Sequence, residues 1–200
     1  MRKRDRDIIK ALEQFRCLSR DQVATLYFGH TKNAVNNANV TLKRLRDRGY
    51  IDANVERQPF VYFPKPATIK KTGNKVDHFL KMADVYTELA KHAKPRRFDI
   101  EPRYEAEIRP DVFTIWKGAP FFIEVQNSVY SANVMRKKLD RYQAFYNSDE
   151  WHNFDWQPQG KEPIFPYVLI VSDTKYKAEG TDFRVFQARS VEDFVKSIGA

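Results

Sequence analysis

The sequence predicts an α/β chain of the α+β, two-domain kind: a basic helical half followed by a half built from strands with flanking helices. Three observations lead there. The apolar residues recur at helical spacing through most of the first 95 residues and turn strand-like afterwards. The charge is lopsided, with 17 Lys and Arg against 7 Asp and Glu in residues 1–75, a formal +10, and 18 against 19 in residues 76–200, a formal −1. Finally, 200 residues with 42% hydrophobic content are ample for packed cores. One cysteine, Cys17, excludes an intramolecular disulfide and a thiolate zinc cluster, and the four histidines show no close pairing. The longest late apolar run is "YVLIV" at 167–171, so no signal peptide or membrane span is expected, and the cytoplasm is the expected location.

Ile8, Ile9, Leu12 and Phe15 predict a first helix from about Arg4 to Phe15. In "CLSRDQVATLYFG", Ser19 is a good N-cap, Val23, Leu26 and Tyr27 form a stripe, and Gly29 supplies the stop. A third helix follows, expected to be capped by Thr31 and ended at Gly49. A helical wheel puts Val35, Ala38, Leu42 and Leu45 on its packing side. The opposite side carries Asn33, Asn36, Asn37, Val40 and Arg44, flanked by Lys32 and Lys43. Asparagine is a poor helix former. Several on one face suit an amide that bonds an adenine edge in the major groove, with Val40 against a thymine methyl; a merely polar solvent face is the plain alternative. After Gly49, "YIDANVERQPFVYFPKP" alternates around a break and reads as a β-hairpin. Three helices, "LRDRGYI" and a hairpin on a basic surface resemble a winged helix-turn-helix, placed here at 1–66. The resemblance implies binding of double-stranded DNA through the third helix.

Residues 67–95 read as a joining segment, with a helix from about Asn74 to His92 on the stripe Val76, Phe79, Leu80, Ala83, Tyr86, Leu89 and Ala90. It is a candidate glue between domains or seam of a homodimer, and His78 reads as a packing residue. From residue 96 to 200, "RYEAEIRPDVFTIW", "APFFIEVQ", "PYVLIVSD" and "DFRVFQA" are strand candidates, with Lys117-Gly118 as the turn between the first two. "SANVMRKKLDRYQAFYNS" is a helix, and "SVEDFVKSI" is another with Ser190 as N-cap.

Strand alternation puts Phe121, Ile123 and Val125 on one face and Phe122, Glu124 and Gln126 on the other. Asp111 on the preceding strand can then approach Glu124, and two converging carboxylates either repel or share a divalent cation. Mg²⁺ or Mn²⁺ would sit on Asp111, Glu124 and the Val125 carbonyl, with Glu107 a candidate further ligand and Glu105 beside it. Pro110-Asp111, the hairpin and "EVQ" resemble the PD-(D/E)xK phosphodiesterase superfamily, which implies a restriction-endonuclease-like mixed sheet. Together with the winged helix and the segment "KTGNKVDHFLKMADVY", the chain resembles the replication-relaxation family of plasmids and related mobile elements. That resemblance implies a DNA role in plasmid or phage replication or its control. Gln126 stands where the superfamily has lysine, and a glutamine offers no charge to a transition state. Lys138, one helical turn from Tyr142, is a candidate to replace it from the following helix; a solvated lysine over a core tyrosine is the alternative. The expected catalytic set is Asp111, Glu124, Gln126, Lys138 and Tyr142. Two main outcomes stay open from sequence, a Mg²⁺-dependent endonuclease or a non-catalytic regulator that keeps the fold; a third, an RNA-binding or protein-binding adaptor, fits less well because the helix-turn-helix face suits B-form DNA better than the deep narrow groove of A-form RNA.

Overall fold

A single buried carboxylate organises the start of the chain. In the computed structural model, which describes residues 1–104 and 108–199, Asp5 accepts the backbone N–H of Arg2 at 3.3 Å and so closes the N-terminus of α1 (Lys3–Phe15). Its other oxygen takes Arg44 at 2.7 Å. α1 buries Ile8, Ala11, Leu12 and Phe15. Ser19, at the end of a two-residue strand β1 (Leu18–Ser19), caps α2 (Arg20–Phe28): its hydroxyl accepts Gln22 N–H at 3.1 Å, and Gln22 Oε1 accepts Ser19 N–H at 2.9 Å.

The third helix, α3 (Ala34–Asp47), departs from the sequence expectation at its start. Asn33 holds the N-cap position, and Thr31 instead donates its hydroxyl to Phe28 O at 2.8 Å. Ala38, Leu42 and Leu45 are buried as expected, but Val35 is 45% exposed because it lies in the first turn, ahead of the packed stretch. Gly49 ends the helix with φ +75°, a conformation that costs glycine little. Next, β2 (Ile51–Asn54) and β3 (Val61–Pro64) form an antiparallel hairpin, and β1 pairs with the other side of β3, giving the order β1-β3-β2. The following helix, α4 (Lys75–His92), buries Val76, Phe79, Met82 and Ala83. The Gln22 amide donates to Leu80 O at 2.8 Å and to Asp84 at 2.6 Å. The chain divides into two compact units, Met1–Thr87 and Glu88–Ala200, so the division falls inside α4.

The second unit is a five-stranded sheet. Its strands are β4 (Arg97–Ile100), β5 (Val112–Trp116), β6 (Ala119–Val125), β7 (Tyr167–Val171) and β8 (Val185–Ala188), in spatial order β4-β5-β6-β7-β8. The first three are antiparallel neighbours, while β6-β7 and β7-β8 are parallel. β4 was not among the strands expected from sequence; it is four residues long and begins with a charged arginine. The strand expected from Arg103 onward begins only at Val112, and residues 105–107 lie outside the described residues. Lys117 (φ 48°) and Gly118 (φ 81°) make the two-residue turn between β5 and β6, whose doubly left-handed backbone matches the twist of the strands.

Parallel pairing of β6 with β7 requires a crossover, and α5 (Ala132–Asn147), capped by Ser131, supplies it. α5 packs Met135, Leu139, Tyr142 and Phe145 against Phe113, Ile115, Phe122, Val168 and Ile170. On the other face, Phe194 of α6 (Val191–Ser197) meets Phe121 at 5.7 Å, and the Trp116 indole donates to Leu89 O and Ala93 O. With both faces covered, every residue of β6 from Pro120 to Val125 is buried. Among the described residues no helix is long and apolar enough to cross a membrane.

Candidate functional site

Two polar constellations stand out, one in each unit. In the first, α3 turns one continuous face to solvent: Lys32, Asn33, Val35, Asn36, Asn39, Val40 and Lys43 are all exposed, Val40 at 61%. Positions 35, 36, 39, 40 and 43 share one side of a helix. Lys43, though exposed, is paired with Asp47 at 2.5 Å, and two further residues expected on this face have other employment. The Asn37 amide donates to Thr31 Oγ1 at 3.1 Å and steadies the turn before α3. Arg44 is held by buried Asp5 at 2.7 Å. Asn39 joins the face instead; its helical spacing from Asn36 and Lys43 was the available signal. Between this helix and the hairpin lies a groove of about 380 Å³ lined by Arg20, Asn39, Lys43, Arg46, Gln58 and Tyr62.

In the second unit the hairpin register sets the site. Val112 pairs with Ile123, so Asp111, one residue ahead of β5, comes opposite the end of β6. There its Oδ2 accepts the N–H of Val125 at 2.7 Å. Asp111 and Glu124 are thereby brought together, as the sequence suggested. Glu124 is 2% exposed. One of its oxygens accepts Lys138 Nζ, and the other accepts the Tyr142 hydroxyl at 2.6 Å. Lys138 and Tyr142 reach it together because i and i+4 lie on one face of α5.

Burial pushes the Glu124 carboxyl up to about 8, with the neighbouring Asp111 charge adding to the rise and Lys138 and Tyr142 opposing it. For Lys138, burial pulls downward but the carboxylates of Glu124 and Asp111 outweigh it, and the ammonium is held above its ordinary value. Burial, and then the Glu124 charge, raise the Tyr142 phenol well above its ordinary value.

Gln126 does not join this group through its side-chain oxygen. Its Oε1 accepts the Ser172 hydroxyl at 3.0 Å and the Tyr176 hydroxyl at 2.6 Å, which ties the end of β6 to the segment after β7. Neither partner was singled out from sequence, since both lie some 50 residues downstream, 46 for Ser172 and 50 for Tyr176.

The donor set around Glu124 is all oxygen, which suits a hard divalent cation. Among the described residues, however, no group of three His, Cys, Asp or Glu converges; Glu105 and Glu107, the further acids expected from sequence, lie outside them. Both Glu124 oxygens are already bonded. As arranged here, Lys138 supplies the positive charge that a cation would bring.

The stretch 64–156, which contains α4 through α5 and the whole Asp111–Glu124–Lys138–Tyr142 cluster, matches the family model described as replication-relaxation. Over this stretch the chain is similar to the replication-relaxation family. Neither the curated proteins nor the solved structures contain a match to the chain. The family match includes the last residue of β3 and the entire joining helix, whereas α1, α2 and α3 precede it.

Proposed function

We propose that the protein binds double-stranded DNA in the replication of a plasmid or other mobile element, or in its control. In this reading the first unit works as a winged helix-turn-helix. α3 enters the major groove and the β2–β3 hairpin lies against the backbone. The observation that carries it is the exposed face of α3, where Asn36, Asn39 and Val40 stand between Lys32 and Lys43 in the half of the chain with a formal +10. Asparagine amides suit adenine edges, Val40 suits a thymine methyl, and the lysines suit phosphates. Selection of duplexes from a random pool, followed by binding of the selected and random duplexes, tests it. A preferred sequence should emerge, and Asn36→Ala should erase the preference; binding that is equally tight to all duplexes would reject readout by α3.

For the second unit the reading is a PD-(D/E)xK-like domain whose Asp111 and Glu124 hold Mg²⁺ or Mn²⁺ once Lys138 moves off Glu124. The antiparallel β4-β5-β6 sheet, the crossover α5 and the parallel β7 support it, as does a buried carboxyl beside a second one. When bound, such a cation would activate water toward a phosphodiester. The chain's own groups do the rest: Val125 N–H orients Asp111, Tyr142 orients Glu124, and Lys138 shuttles between the carboxylate and the phosphate it could neutralise.

A second reading is favoured by one observation. Glu124 is fully bonded and the Gln126 oxygen is committed to Ser172 and Tyr176, which is how a retired site kept for its fold would look. A plasmid-nicking assay with Mn²⁺ separates the two. Cleavage lost in Asp111→Ala supports the enzyme, and an inactive chain that still binds DNA supports the regulator.

A further inference from the structure

The second unit holds a cleft of about 370 Å³ between the start of α5 and the segment after β7. Parallel strands joined by a crossover helix leave their outgoing loops at one edge of the sheet, so β6-α5-β7 opens a crevice at the strands' carboxyl ends. Buried Met135 and Tyr176 line its inner side. The Tyr176 hydroxyl accepts the N–H of Tyr130 at 3.0 Å and donates to Gln126 Oε1 at 2.6 Å, so both rims are fastened to the end of β6, two residues beyond Glu124.

Arg136 projects from α5 into the lining, and Lys175 and Lys177 approach from the segment after β7. All three are exposed, and none has an ion pair among the described residues, whereas Arg97 and Lys196 of the same unit are paired with carboxylates. Three like charges on the rim of one crevice repel one another, and an anion placed among them relieves that repulsion. The guanidinium fork matches two oxygens of one phosphate, and the two ammonium groups act as point charges on its neighbours. The first turn of α5 adds the positive end of its dipole to the same crevice, as a minor contribution beside the side chains.

We propose that this cleft seats phosphates of the DNA backbone beside the Glu124 site, with Arg136, Lys175 and Lys177 as their ligands. The proposal rests on the DNA-binding reading above and adds a second point of contact, in the other unit, that reads charge and not sequence. Three full-length proteins test it: wild type, the triple variant Arg136→Ala, Lys175→Ala, Lys177→Ala, and a control triple, Lys94→Ala, Lys161→Ala, Arg189→Ala, which removes as many exposed cations outside the cleft. Each is titrated onto a fluorescent duplex from about 50 to about 200 mM salt. The cleft variant should bind about tenfold more weakly or worse, with a slope of log affinity against log salt shallower by about 2, and the control should lose less than half as much of each. A cleft variant indistinguishable from the control overturns the proposal. A wild-type chain that binds no duplex overturns the DNA-binding reading itself, and the proposal with it.

Discussion

The exposed face of α3 and the Glu124 site are both polar, and they are built in opposite ways. On α3 the polar groups at Asn36, Asn39 and Lys43 stand in water, on a helix whose Ala38, Leu42 and Leu45 do the packing. Substitution there should change what the helix touches and leave the fold alone. Around Glu124 the polar groups are inside the core, each oxygen matched to a donor, in a setting where an unmatched charge is expensive. Substitution there should be felt first in stability. A polar surface open to solvent and a site already satisfied from within thus differ in burial, although both are made of groups that bond.

The largest effect expected from this contrast is at Lys138. Lys138→Met leaves Glu124 buried without its counter-ion, and at about pH 9, above the folded value near 8 where the carboxyl is ionised, about 3 kcal/mol of unfolding free energy should be lost in urea denaturation. An unchanged midpoint would mean that the pair is not formed in solution. Asn36→Ala is the counterpart: about 1–3 kcal/mol should be lost in binding to the preferred duplex, with no shift in the denaturation midpoint.

Stability should also depend on pH through Glu124. Its folded-state value lies near 8, above the unfolded value of about 4.3. The folded chain therefore holds a proton that the unfolded chain releases between those limits, and this group's contribution falls as pH rises from about 4.3 to about 8. Glu124→Gln should flatten that part of the stability profile. Smaller still is Asn37→Ala, which removes a bond to Thr31 and should cost about 1 kcal/mol of stability without altering sequence preference. Smallest is Lys43→Ala, which should weaken all duplexes alike and make the salt slope shallower by about 1.

What could be read ahead of the structure follows the same division. Helices α1, α2, α4, α5 and α6 were legible because their apolar spacing, and for α2 and α6 the caps Ser19 and Ser190, are local signals. The convergence of Asp111, Glu124, Lys138 and Tyr142 was legible because a two-residue turn and a helical turn are fixed geometries. Partnerships across long stretches of chain were not. Arg44 looked like a DNA contact until Asp5, 39 residues earlier, was seen to hold it. Gln126 looked like a member of the carboxylate cluster until Ser172 and Tyr176 were seen to take its oxygen. Thr31 looked like a cap, but the turn before α3 bends so that its hydroxyl meets Phe28 O. β4 was missed because four residues headed by an arginine carry too little alternation to stand out.

The central claim for the second unit is that Lys138 occupies the place of a cation at Glu124. Calorimetric titration of Mn²⁺ into wild type, Lys138→Gln and Asp111→Ala tests it most directly, since glutamine keeps a donor near Glu124 while removing the charge. The account predicts one weak site in wild type, a site at least about tenfold tighter in Lys138→Gln, equivalent to about 1.4 kcal/mol, and none in Asp111→Ala. Equal affinity in wild type and Lys138→Gln, or binding that survives Asp111→Ala, would contradict it.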